Sequence, residues 1–174
     1  MKISAGHRHL TSLALIGLIA LQASQVHAQT SPAPTESGIN SADKWELTIS
    51  PYAYHWSRSP EHRSVYLIGL ERRLPDNWLW GAGFFSNSFG QPSAYAYYGY
   101  RWDNLFGNPS LYAKLTAGLM YGYVGQYKRK VPLNFGGFSP LVIPALGYRI
   151  TKQDSIQIAP LGNAAVLFTY SRSF

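Results

Sequence analysis

From Trp45 to the C-terminus, apolar and polar residues alternate in short runs broken by turn-forming residues. Eight runs can be delimited: residues 45–56, 65–73, 78–86, 94–102, 111–123, 138–150, 155–159 and 164–174. Pro75-Asp76-Asn77, Asp103-Asn104 and Lys152-Gln153-Asp154 end the second, fourth and sixth. Period-two alternation puts successive side chains on opposite faces of a strand. The fifth run shows it best. Leu111, Ala113, Leu115, Ala117, Leu119, Tyr121 and Tyr123 share one face, while Tyr112, Lys114, Thr116, Gly118, Met120 and Gly122 share the other. On the fourth run Tyr95, Tyr97, Gly99, Arg101 and Asp103 share the expected inner face. No helical period competes with this pattern.

The expected fold class is all-β, an eight-stranded antiparallel transmembrane β-barrel over residues 45–174. A soluble β-sandwich would alternate strand by strand as well. The barrel is favoured by the even number of strands, by an export signal and by the chain's end. Val166, Phe168, Tyr170 and Phe174 share a face there, interrupted by Arg172. With the N-terminus periplasmic, parity places loops 57–64, 87–93, 124–137 and 160–163 outside, and the tighter turns inside.

The export signal is the first segment. Lys2 and Arg8 precede an apolar stretch from Leu10 to Leu21, and Val26-His27-Ala28 supplies a small-x-small cleavage site. That is the plan of a secretory signal peptide over residues 1–28. Its apolar stretch falls short of the roughly 20 residues a spanning helix needs. Residues 29–44, polar and Pro/Ser/Thr-rich, read as a flexible lead-in.

Composition sharpens this picture. Cleavage after Ala28 removes Lys2 and Arg8 and lowers the net charge from +7 to +5. That moderate excess suits lipid phosphates and gives no reason to expect nucleic acid as a partner. There is no cysteine, so disulfides cannot stabilise the exported chain. Thirteen Tyr, five Trp and eight Phe match the aromatic girdles of membrane barrels. A monomer is expected.

Little chemistry is on offer. His55 and His62 are the histidines left after cleavage, and no spacing of His, Cys, Asp or Glu suggests a metal. No glycine-rich loop opens a helix to hold phosphates, so no cofactor is expected. Parity brings His55, ending the first strand, to the same rim as Asn87-Ser88, ending the third. An imidazole beside a serine can take its proton during acyl transfer and return it later. A solvated rim histidine beside an ordinary Asn-Ser-Phe-Gly turn is the plainer alternative.

Several motifs, in order along the chain, resemble the lipid A palmitoyltransferase (PagP-like) family. The family's Pro-x-x-x-Trp-His is resembled by Pro51-Tyr52-Ala53-Tyr54-His55. Its Phe-x-Asp-Ser-aromatic is resembled by Phe85-Ser86-Asn87-Ser88-Phe89, and its Gly-Tyr-x-Trp by Gly99-Tyr100-Arg101-Trp102. Pro140-Leu141-Val142-Ile143-Pro144, Gly147-Tyr148 and Ala159-Pro160 follow, and the chain ends on Phe174. The resemblance implies transfer of a palmitoyl chain from an outer-leaflet phospholipid to lipid A. It implies His55 and Ser88 at the catalytic rim, with Asn87 in the place of an acidic partner. Proline donates no ladder hydrogen bond. Pro51 on one side and Pro140, Pro144 and Pro160 on another are thus expected to mark lateral openings for acyl chains, or else merely strand ends.

The chain departs from that family at three places. An amide at Asn87 cannot act as a base or hold an imidazolium by charge. Arg101 stands at or beside the glycine that floors the family's acyl-measuring cavity. The family's N-terminal amphipathic helix has no counterpart in residues 29–44. A buried charge needs a partner, so Glu71, Arg101, Lys114 and Asp103 are expected to form an interior network that plugs the lower barrel and shortens any acyl pocket above it. The same charges in a periplasmic headgroup zone are the alternative. The basic stretch Gly125–Lys130 is expected to face lipopolysaccharide phosphates, or to be a solvated charge run.

Two functions remain in view. One is an outer-membrane acyltransferase-like barrel acting on phospholipid and lipid A. The other is a non-catalytic barrel that binds lipid or stabilises the membrane. A small porin fits less well, because side chains fill an eight-stranded interior.

Overall fold

The structure, a computed structural model, describes residues 43–57 and 59–174. The expected signal peptide and the lead-in up to residue 42 lie outside the described residues. Eight strands follow: β1 (Lys44–His55), β2 (Leu67–Arg73), β3 (Trp78–Ser86), β4 (Pro92–Asp103), β5 (Leu111–Tyr121), β6 (Phe138–Arg149), β7 (Asp154–Leu161) and β8 (Ala165–Ser173). Each pairs antiparallel with its sequence neighbour, and β8 returns to β1, closing the barrel. Closure leaves no open sheet edge. At the end carrying both β1's start and β8's end, here called lower, Trp45 and Phe174 exchange backbone hydrogen bonds of 3.2 and 2.9 Å.

The strand limits differ from the expected ones in physical ways. β1 begins at Lys44, so the lead-in ends before it. Asp43 is held by Arg72 on the outer face, whose hydrogen bond keeps the Asp43 carboxyl below the usual carboxylate range. β5 stops at Tyr121, because Tyr123 takes a left-handed φ of 54°. β7 runs on through Pro160. The missing proline N–H costs the sheet little there, since β7 pairs with β6 only from Ser155 to Ile158.

Parity is kept around the barrel with one reversal. In the lower half of β1, Glu46 and Ser50 point inward and Leu47 and Ile49 outward. Between Ile49 and Tyr52 the pairing with β8 gains one extra residue on β1, a β-bulge at Ser50-Pro51. A bulge re-aims every side chain beyond it. Past this one Ala53 is buried and His55 half-buried, while Tyr52 and Tyr54 are outside. In an unbulged strand His55 would lie on the same face as Leu47 and Ile49.

The outer face is apolar across its middle, with Ile68, Leu70, Leu115, Leu119, Val142 and Ile158 exposed. Aromatic clusters sit at both ends. Trp78 packs on Tyr98 and Tyr100, and Tyr100 on Trp102, toward the lower end. Tyr54 packs on Trp56 and Tyr121 on Phe138 toward the upper end.

The interior divides into two halves. Below, Leu79 and Tyr112 are fully buried, as are Glu71 and Arg101 at 2% and 3% exposure. Gly147 exists there because of Tyr112: a Cβ at residue 147 would lie 2.1 Å from the ring. Above, an aliphatic cluster of Ala53, Val65, Ala159 and Leu167, with Leu67, Ile143, Ala145 and Leu161 around it, forms one side of the lining, and Tyr95, Met120, Ser93 and Ser139 face the lumen from β4, β5 and β6.

Candidate functional site

His55 reaches the upper rim at the end of β1, carried inward by the bulge. Ser88 follows β3 in the β3–β4 loop. Their side chains meet, with His55 Nε2 and Ser88 Oγ 2.7 Å apart. The loop is fixed from two sides. Ser88's carbonyl accepts the Arg63 N–H at 2.8 Å, tying it to the β1–β2 loop. Asn87, 1% exposed, bonds within its own loop and to the start of β4. Its side-chain carbonyl accepts the N–H groups of Phe89 and Gln91, and its amide donates to Ser93 Oγ at 3.1 Å. This is an Asx-type turn.

Asn87 therefore braces Ser88 and makes no hydrogen bond to the imidazole. The residue in the place of an acidic partner performs a different task, which an amide suits because it both donates and accepts. Glu61 is exposed and its backbone N–H bonds Ser59 Oγ. No carboxylate hydrogen-bonds His55 among the described residues. A neutral imidazole that donates one N–H offers its second nitrogen as an acceptor, the form needed to receive the Ser88 proton.

A chain of rings continues from His55 across the rim. His55 lies 4.6 Å from His62, His62 meets Phe89 edge-on at 5.7 Å, and Phe89 stacks on Tyr127 at 4.2 Å. Tyr127 belongs to the basic Gly125–Lys130 turn, and Lys130 Nζ sits 5.3 Å from the Phe89 ring centroid. Lys130 is thus placed against Phe89, the residue after Ser88. That His62 packs between His55 and Phe89 was not legible in the sequence, because loop packing leaves no periodic signal.

Below the rim the wall has two unpaired seams. β1 and β2 pair only from Lys44–Arg73 to Ser50–Leu67. β6 and β7 pair only from Arg149–Ser155 to Leu146–Ile158. Pro51 lies at the first seam. Pro140 and Pro144 on β6 and Pro160 on β7 border the second. The β5–β6 ladder runs unbroken past Pro140 and Pro144, and N–H groups two residues apart point the same way. The missing donors accordingly fall on the β7 side, where the seam is.

The charges named from sequence all face the lower lumen. Lys114 Nζ lies 2.9 Å from Glu71 Oε2, which also accepts the Tyr97 hydroxyl at 3.0 Å. Arg101 Nε lies 2.8 Å from Asp103 Oδ1, and its guanidinium sits 3.5 Å from the Tyr112 ring centroid. The network extends to Glu46, 3.8 Å from Arg101, and to Arg149, which binds the same Asp103 oxygen. Parity offered a signal for both, but charge on its own did not separate them from surface residues. Among the described residues no group of three or more His, Cys, Asp or Glu is placed to hold a metal ion.

No protein-family model matches the chain, and no curated protein sequence matches it.

Proposed function

We propose that this chain is an outer-membrane acyltransferase that moves a fatty acyl chain from a phospholipid to lipid A. The carrying observation is the 2.7 Å contact of His55 Nε2 with Ser88 Oγ above an aliphatic upper lumen. In this reading Ser88 Oγ attacks the donor ester carbonyl as its proton passes to Nε2. Collapse of the tetrahedral intermediate expels the lysophospholipid alkoxide, which takes that proton. The acceptor hydroxyl then gives its proton to Nε2 and attacks the acyl-serine, and Ser88 leaves as the alcohol.

Three features support the placement. An apolar outer face between aromatic clusters suits a bilayer. The two seams offer donor and acceptor chains sideways routes to the lumen. The basic turn beside Phe89 suits phosphate-bearing lipids. A closed sheet leaves no edge for a second copy to pair with, in keeping with a monomer.

A second reading is a non-catalytic barrel that binds lipid or stabilises the membrane. It is favoured by one observation, the lack of any carboxylate on His55 among the described residues. Mass spectrometry of lipid A from cells expressing the chain, beside a His55→Ala/Ser88→Ala variant, separates the two. Transfer predicts an added acyl mass that the double variant loses. Identical spectra from folded protein, with phospholipid in the outer leaflet, select the second reading.

A further inference from the structure

The lumen's lower mouth, at the far end from Ser88, gathers four cations. Lys44 and Arg73 are directly opposed across β1 and β2 and both face inward. Like charges in that position repel. Arg101 and Arg149 converge on one Asp103 oxygen and on the Tyr112 ring. Lys44 and Arg73 each lie within electrostatic range of Arg101 and Arg149.

Glu71 is committed to Lys114 and Tyr97. Among the inward side chains Glu46 and Asp103 therefore stand against the four, and four positive side chains less two negative leave an excess of two. Arg73 carries the strain. It is 8% exposed, and its Nε is buried with no hydrogen-bond partner among the described residues. It forms no ion pair among them either. A buried charge without a partner is costly. Glu46 Oε1, in the same cluster, also lacks a partner there. The mouth is reachable, since the side chains of Asp103 and Arg149 are 27% and 17% exposed.

We infer that this mouth is a phosphate-binding site, with Arg73 as its principal ligand and Lys44, Arg101 and Arg149 around it. Hydrogen phosphate matches the cluster in charge and in hydrogen bonding. Its two negative charges balance the excess, its anionic oxygens accept from guanidinium N–H groups, and its P–OH can donate to Glu46 Oε1. The same chemistry can come from a free phosphate or from a lipid phosphomonoester such as phosphatidic acid, which keeps the P–OH that a phosphodiester headgroup lacks. This site does not depend on acyl transfer at the opposite rim.

The test uses the full chain folded in a maltoside detergent, titrated with inorganic phosphate at constant ionic strength and followed by calorimetry and ³¹P NMR. One saturable site is expected, weakened at least about tenfold in Arg73→Gln, the cost of losing a charge-assisted hydrogen bond. Arg72→Gln, on the outer face, should bind like the parent. Lys44→Gln, at the strand's end, carries the same expectation as Arg73→Gln should the latter fail to fold. Displacement by a soluble short-chain phosphatidic acid assigns the site to lipid phosphomonoesters, and its failure assigns it to free phosphate. No saturable binding, or equal affinity in the parent and the Arg73 and Lys44 variants, overturns the proposal.

Discussion

The lower and upper halves of the lumen follow the same inside–outside alternation and reach opposite results. Below, inward positions carry long side chains that bond to one another across the barrel, as Lys114 does to Glu71 and Tyr112 to Ser155. Every neighbouring strand pair there is hydrogen-bonded. Above, several inward positions carry short side chains, among them Ala53, Ala159 and Ala165, and two of the eight strand interfaces are unpaired. One half is cross-linked by polar contacts, and the other combines a largely apolar cluster with interruptions in its wall. Access and rigidity are separated along one axis, so chemistry at the rim need not be built on a loose scaffold.

The comparison can be broken most severely at β1. Deleting Tyr54, beyond the bulge, turns His55 to the outer face and should lower acyl transfer by about 10²–10⁴-fold, the usual worth of a positioned general base. Deleting Pro51 removes the extra residue but keeps the pairing with β8, so His55 stays inward and transfer should fall far less. Equal losses in the two deletions, with both barrels folded, would count against the bulge as the device that aims His55.

In the lower half, Glu71→Ala leaves Lys114 charged and unpaired and should cost about 3–5 kcal/mol in urea unfolding. The double change Glu71→Leu/Lys114→Met should recover most of that loss. If the single variant unfolds like the parent, the lower network is not holding that half together. Gly147→Ala pushes a methyl against Tyr112 and should cost about 1–3 kcal/mol in the same assay. Its counterpart above, Ala159→Leu, should instead shorten the acyl chain accepted, read by the mass added to lipid A. An unchanged acyl mass would remove the upper lining from the pocket. The smallest effect belongs to Ser171, within hydrogen-bonding distance of Thr48 (2.8 Å) and Gln157 (3.0 Å). Ser171→Ala should cost about 1 kcal/mol.

Much of the fold could be read from residue order. Runs 78–86 and 111–123 announced β3 and β5 because a strand with one apolar face must alternate. The inward set on β4, Tyr95 through Asp103, followed from the same period. Glu71, Arg101, Lys114 and Asp103 were legible as a group, since each is a charge on an inward-facing position. Arg73, Glu46 and Arg149 obey the same alternation but carry no local mark of their role, which rests on which strands face one another across the lumen. His55 and Ser88 were legible only as occupants of one rim. Asn87 was misleading: its place in a motif pointed to the imidazole, while its side chain serves the turn that holds Ser88.

The sequence by itself thus determined the number of strands, their approximate limits and, where alternation is unbroken, which side of each strand looks inward. These are local properties, set by a two-residue period and by turn residues a few positions away. Tertiary structure decided the rest. The bulge at Ser50-Pro51 reverses the facing of His55, and the pairing limits of β1–β2 and β6–β7 locate the seams. Closure brings Arg101 within 3.8 Å of Glu46, and packing at the upper ends of β1 and β3 brings Ser88 against His55. Each depends on register between segments distant in the chain, and a single-residue shift in register exchanges inside for outside.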